Sequence, residues 1–169
     1  MAKTKYGKYF IEYDPKLWPP PPATSDIKDT HPTIAQIDNH IAEGAFFYKV
    51  HWMLPGSEHK GIGHPPHLHK EAELLFHIGT NPDDPMDLGA EMEMHMGEEM
   101  ERHVINRSSV IWIPGGLIHS PWRALKIVRP FIVIQVLQAL NKTEKFALHI
   151  LPEELRNQVD MSMVKDVGF

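Results

Sequence analysis

Cysteine is absent from these 169 residues. Its absence excludes disulfides, thiolate metal sites, C-x-x-C redox chemistry and a cysteine nucleophile. Basic residues are outnumbered too, 17 Lys and Arg against 22 Asp and Glu, for a net charge of -5. Without a basic surplus there is no patch to neutralise phosphates, so nucleic acid is not an expected partner. No run approaches the roughly 18 apolar residues of a membrane-spanning helix. The opening MAKTKYGKYFIEYDPKLW also lacks the apolar core of a secretory signal. The expectation is a cytoplasmic protein without a membrane partner, and the length fits one domain with a real core.

Helical periodicity is scarce as well. Before residue 140 the chain reads as short runs rich in β-formers, separated by Pro, Gly and Asp turns. In FFYKVHWML, Phe46, Tyr48, Val50 and Trp52 share one face, and Phe47, Lys49, His51 and Met53 the other. Residues 91–96 place Met92, Met94 and Met96 opposite Glu91, Glu93 and His95, and a turn at Gly97-Glu98-Glu99 returns the chain. A methionine stripe can bind Cu(I), but one strand face against a core explains it without copper. Seven to nine such strands before residue 140 predict an all-β antiparallel sandwich or barrel.

The ends differ. Residues 1–43 are an arm and connecting segment; over 1–18 aromatic and charged residues alternate through Tyr6, Tyr9, Phe10, Ile11, Tyr13 and Trp18, consistent with a strand that Pro19–Pro22 ends as polyproline. This arm packs on its own barrel or on a neighbouring subunit, and a short helix is expected over Thr33–Ile41. Residues 139–169 form a tail, with a short helix starting at Pro152-Glu153-Glu154-Leu155 and no expected chemistry.

What the sequence does hold is histidine, 12 in all. At that frequency about one H-x-H pair is expected by chance, so His67 and His69 alone mean little. Their setting means more. His67 and His69 stand two apart, on one face of a strand, and Glu73 keeps their parity. His119 follows a Pro-Gly-Gly turn about 40 residues later. Together these make Gly61-x5-His67-x-His69-x3-Glu73-x5-Gly79 and Pro114-x-Gly116-x2-His119.

This pattern resembles the two motifs of the cupin family, G-x5-H-x-H-x3,4-E-x6-G and G-x5-P-x-G-x2-H-x3-N. Gly79 comes one residue early, Ser108 replaces the opening Gly of the second motif, and Arg123 replaces its closing Asn. The resemblance covers roughly 44–138. It implies a double-stranded β-helix, or jelly roll, and it places the metal ligands at His67, His69, Glu73 and His119. Three imidazoles and one carboxylate without sulfur suit one divalent ion, Mn, Fe, Zn, Ni or Co, and the resemblance leaves two coordination positions open. A closed four-coordinate zinc would instead be structural.

An open site serves a dioxygenase, or a redox-neutral lyase, isomerase or hydrolase in which the metal is a Lewis acid. The expected substrate is a small oxygenated organic molecule, enolisable or ring-shaped. The alternative is a non-catalytic metal-dependent sensor or binding module. His51, His77 and His95 are candidate proton shuttles, with His77 first because it shares the parity of Glu73. Arg123 is a candidate clamp for a substrate carboxylate or phenolate, against the duller reading of a surface ion pair. His64 either borders the metal or lies at the rim. Trp112, Trp122, Tyr48 and Trp52 could stack on a ring or simply line a core. Nine methionines weigh slightly against an oxygen-activating centre. The chain is expected to form a homodimer.

Overall fold

The computed structural model describes residues 5–14, 16, 31–59 and 61–169. Among the described residues ten strands run in order: β1 (Thr33–Ile37), β2 (Phe47–Met53), β3 (His67–Leu68), β4 (Glu73–Gly79), β5 (Asp87–Met96), β6 (Glu101–Arg107), β7 (Ser109–Ile113), β8 (His119–Ile127), β9 (Phe131–Leu137) and β10 (Lys145–Phe146). They form two five-stranded sheets, ordered β1-β2-β9-β4-β7 and β10-β3-β8-β5-β6. Every pairing is antiparallel. From β6 onward the chain alternates between the sheets, second, first, second, first, second. That winding is the double-stranded β-helix, the jelly roll implied by the motifs.

Between the sheets lies one core. Met53, Leu75, Leu88, Met92, Met94, Ile113, Phe131 and Val133 are buried in it, with Met96 and Trp122 packed against it. The methionine stripe thus faces the core, and the hairpin after it turns at 97–100 as expected. Sheet register sets which side chains face inward. Across β2, β9 and β4 the rows are Phe47, Leu137, Glu73; then Lys49, Gln135, Leu75; then His51, Val133, His77. The intervening residues of these strands point away from the core.

Two local expectations are corrected. Residues 33–37 are a strand, not the start of a helix: Thr33, Ile34 and Ile37 are β-branched and the segment pairs with β2. Asp38 then accepts the backbone N–H of His40 and of Ile41, turning the chain. The N-terminal alternation is not a strand within 5–14 either. Gly7–Tyr9 is a 3-10 turn with Tyr9 N–H on the Tyr6 carbonyl, and its aromatic side chains are exposed. Trp18 and Pro19–Pro22 lie outside the described residues. The sheets extend past 44–138 at both ends, through β1 and β10. In the tail, α1 (Glu153–Arg156) has Glu153 and Glu154 in its first turn, with Pro152 as its cap rather than its first residue. Among the described residues, no helix is long and apolar enough to cross a membrane.

Candidate metal centre

The two motifs meet because two turns interlock. Gly116 N–H donates to the His69 carbonyl at 2.7 Å. A Cβ on Gly115 would collide with the Lys70 carbonyl oxygen, so only glycine permits this approach. The lock sets β3 beside β8, with His67 directly opposite His119. Glu73 starts β4 in the facing sheet. Each of His67, His69, Glu73 and His119 has a ligand atom within 4.8 Å of those of the others, and all four are buried.

Their hydrogen bonds show which atoms point inward. His67 Nδ1 bonds the Pro65 carbonyl at 2.8 Å, His119 Nδ1 bonds the Leu117 carbonyl at 3.0 Å, and His69 Nδ1 bonds the Thr143 carbonyl. A carbonyl only accepts, so each Nδ1 carries the proton and each Nε2 faces the cluster. His119 Nε2 lies 3.0 Å and His69 Nε2 3.4 Å from Glu73 Oε2. These three atoms are buried and have no hydrogen-bond partner. The other oxygen of Glu73 accepts from Gln135 Nε2 at 2.6 Å.

Lone pairs converging on a carboxylate oxygen repel one another unless a cation lies among them. Burial favours the neutral acid of Glu73, but His119 and His69 outweigh it and hold the carboxyl well below its usual range. Burial likewise opposes a charge on His69, yet Glu73 raises its affinity for a proton. The cluster therefore attracts a cation. Imidazole and carboxylate donors without sulfur fit a divalent transition metal, so the residues present can hold the expected ion.

The tail, expected to be inert, closes one side of this cluster. Thr143 gives His69 its carbonyl and is tied to Glu71 by its backbone N–H at 2.6 Å and its hydroxyl at 2.7 Å. Glu144, buried, approaches His64 Nε2 at 3.2 Å, His67 Nε2 at 3.8 Å and Lys142 Nζ at 3.1 Å. Burial would raise its carboxyl, but His64 and Lys142 lower it on balance. His64 is half-exposed, its ring edge-on to His67 at 4.3 Å, so it borders the cluster. His64, His67 and Glu144 form an overlapping group also able to hold an ion. Glu144 had a weak signal, an acid just past the barrel.

His77 lies deeper, two inward positions beyond Glu73 on β4, roughly 13 Å along the strand. It is fully buried, and its Nε2 accepts the Trp122 indole N–H at 2.9 Å. His51 and His59 also pack around Trp122, at 6.5 and 5.9 Å between rings. Burial lowers His77 and His59 to about 4, and burial with the Lys49 charge lowers His51 to about 3. Trp122 reaches this interior because β8 is bulged: Met96 faces His119 and Met94 faces Trp122, three residues on β8 against two on β5. His95 bonds the Pro121 carbonyl at 3.3 Å.

Arg123 is not brought to the cluster. Its guanidinium pairs with Glu93, which also holds Arg102 at 2.7 Å, and donates to the Gly61 carbonyl at 3.3 Å. A strand neighbour of inward Trp122 alternates to the opposite face, and the guanidinium expected as a substrate clamp is engaged in this ion pair. Trp112 and Tyr48 are exposed on the outer face of the first sheet, and Trp52 shares that face.

No protein-family profile matches this chain, and no curated protein matches it. Solved structures do resemble it. An uncharacterised conserved protein with a double-stranded β-helix domain from Klebsiella pneumoniae aligns with TM-score 0.48 at 16% identity, over 87% of this chain and 98% of its own. DMSP lyase DddQ from Ruegeria pomeroyi aligns with TM-score 0.39 at 20% identity over 60% of this chain, which spans only 43% of the lyase. An oxalate oxidase bound to the substrate analogue glycolate aligns with TM-score 0.45 at 14% identity, over 80% of this chain and 63% of its own. Likeness at this level concerns the fold and transfers no reaction.

Proposed function

We propose that this chain is a divalent-metal-dependent cupin enzyme acting on a small oxygenated organic molecule. His67, His69, Glu73 and His119 hold one Mn, Fe, Zn, Ni or Co ion. The observation that carries this is the set of three imidazoles, each with Nδ1 fixed by a backbone carbonyl and Nε2 turned to the cluster that includes Glu73 Oε2. A bound ion supplies Lewis acidity that polarises a substrate oxygen. The chain supplies the rest. Gln135 orients Glu73, and the Thr143 carbonyl fixes the tautomer of His69. His77 is the proposed proton carrier of the deep wall; it rests as a neutral imidazole with Nε2 accepting from Trp122, and it gives up that hydrogen bond when it takes a proton. Arg123 acts as a positioning residue, tying β8 to the Gly61 carbonyl in the loop before the ligands.

Of the two reaction classes, the redox-neutral one, lyase, isomerase or hydrolase, is better supported. Met96 is the cross-strand partner of His119, so a thioether lies beside the centre, where an oxygen-activating site would oxidise it. We further propose a homodimer formed through the outer face of the first sheet.

Metal content by plasma mass spectrometry tests the centre. Untagged protein purified without chelators should carry about one equivalent, lost in His67→Ala and in His119→Ala. No metal, even after anaerobic reconstitution, rejects the metalloenzyme. Turnover that continues under strict anaerobiosis supports the redox-neutral class, and strict oxygen dependence rejects it.

A further inference from the structure

Lys49 is out of place by the usual rules. It is half-buried in the middle of β2, on the face that carries His51 and Met53 into the core. A lysine turned inward normally meets an acid, because an uncompensated ammonium is costly to desolvate. Among the described residues Lys49 has neither an ion pair nor a hydrogen bond. Its neighbours are uncharged amides: Gln36 faces it across β1 and Gln135 across β9. Burial lowers the proton affinity of Lys49, and the nearby Lys142 charge lowers it further.

The register ties this lysine to the metal centre. Gln135, one strand away in the same row, is the residue whose amide holds Glu73 Oε1 at 2.6 Å. Facing strand neighbours have Cβ atoms about 5 Å apart, and a lysine stem spans that distance with its ammonium to spare. The nearby Lys142 is already matched by Glu144. Among the described residues, Lys49 is left as an inward positive charge without an acid to neutralise it.

Resting on the metal-centre reading, we infer that Lys49 is the anion-binding residue of the substrate compartment and that the substrate is a small organic carboxylate. The ammonium of Lys49 takes one carboxylate oxygen, and the Gln36 amide stands beside it as a second donor. A planar two-oxygen anion matches two donors, whereas a phosphate group presents three oxygens and needs more. The chemistry at the ion then falls on the part of the molecule next to the carboxylate.

Co(II)-loaded protein provides the test, because its visible absorption reports a ligand entering the centre. Glycolate, lactate and succinate are titrated against the uncharged glycolamide, lactamide and succinamide. At least one carboxylate should perturb the spectrum with a Kd tenfold or more below that of its amide. Lys49→Met and Lys49→Gln should abolish this preference and weaken carboxylate binding at least tenfold with Co(II) content undiminished, while Lys49→Arg retains it. Wild-type protein that takes up no Co(II) overturns the metal centre and this assignment with it. Loaded wild-type protein that responds to none of the three carboxylates, or loaded charge-free variants that bind as tightly as wild type, overturns the Lys49 assignment alone.

Discussion

A histidine buried without an acid resists protonation, and this interior holds several around Trp122, His51 and His77 among them. Burial first, then for His51 the Lys49 charge, lowers them to about 3 and about 4 against 6.5 in the unfolded chain. The sign follows from proton counting. Below pH 6.5 the unfolded chain takes up protons that the folded protein refuses, so their contribution to stability is full above 6.5 and is lost as pH falls towards 4. Each such imidazole adds a slope of up to about 1.4 kcal/mol per pH unit in that window. In urea titrations of chelator-treated protein, stability should fall steadily from pH 6.5 to 5. His77→Gln, which keeps an acceptor for the Trp122 indole but does not titrate, should show a slope shallower by about that amount. An unchanged slope would mean that His77 is not held neutral.

At the scale of elements, the centre depends on how the turn at 114–117 meets the loop at 67–70. Gly115 and Gly116 are adjacent but differ physically. A Cβ at Gly115 strikes the Lys70 carbonyl oxygen, while Gly116 has open space around it and a φ of +83°. Gly115→Ala should therefore displace the His69 loop from His119 and weaken metal affinity about 10- to 100-fold. Gly116→Ala should cost about 1–2 kcal/mol of stability through its left-handed backbone, with metal affinity little changed. Competition against a fluorescent chelator separates the two, and equal losses in both variants would rule out the collision. The same scale explains what was legible in the sequence. His67, His69, Glu73 and His119 were readable because the ligand spacing within each turn is local. Gln135, Thr143 and Glu144 were not, because their places come from the pairing of β4 with β9 and of β3 with β10. The parity of Lys49 and His51 could be read along β2, but not that Lys49 shares a row with Gln135. The inward turn of Trp122 was hidden too, since it needs the bulge between β5 and β8. The helix expected at 33–41 failed because pairing with β2 decided that segment, not its turn signals.

For the whole molecule, the first sheet has two faces of unlike purpose. Its inner face holds Glu73, Lys49, Gln135, His51 and His77. Its outer face carries only apolar and aromatic residues on β2, β9, β4 and β7, as in the row Tyr48, Val136, Leu74, Trp112. Tyr48 is 42%, Val110 51% and Trp112 54% exposed. A single exposed apolar residue is ordinary, but a contiguous uncharged face is not. Two rows across four strands and a third across three cover roughly 20 Å by 20 Å at usual strand spacings. A flat patch of that size, once its side chains interdigitate with a copy, approaches the roughly 800 Å² per partner of a stable interface. Because the face has no charge, two copies can meet about a two-fold axis without like-charge conflict. Sedimentation at micromolar concentration should show a dimer, and Val110→Glu combined with Trp112→Glu should shift it to monomer. Both side chains point away from the centre, so the double variant should keep its metal. A wild-type protein that sediments as a monomer throughout would show that this face does not bind a second copy.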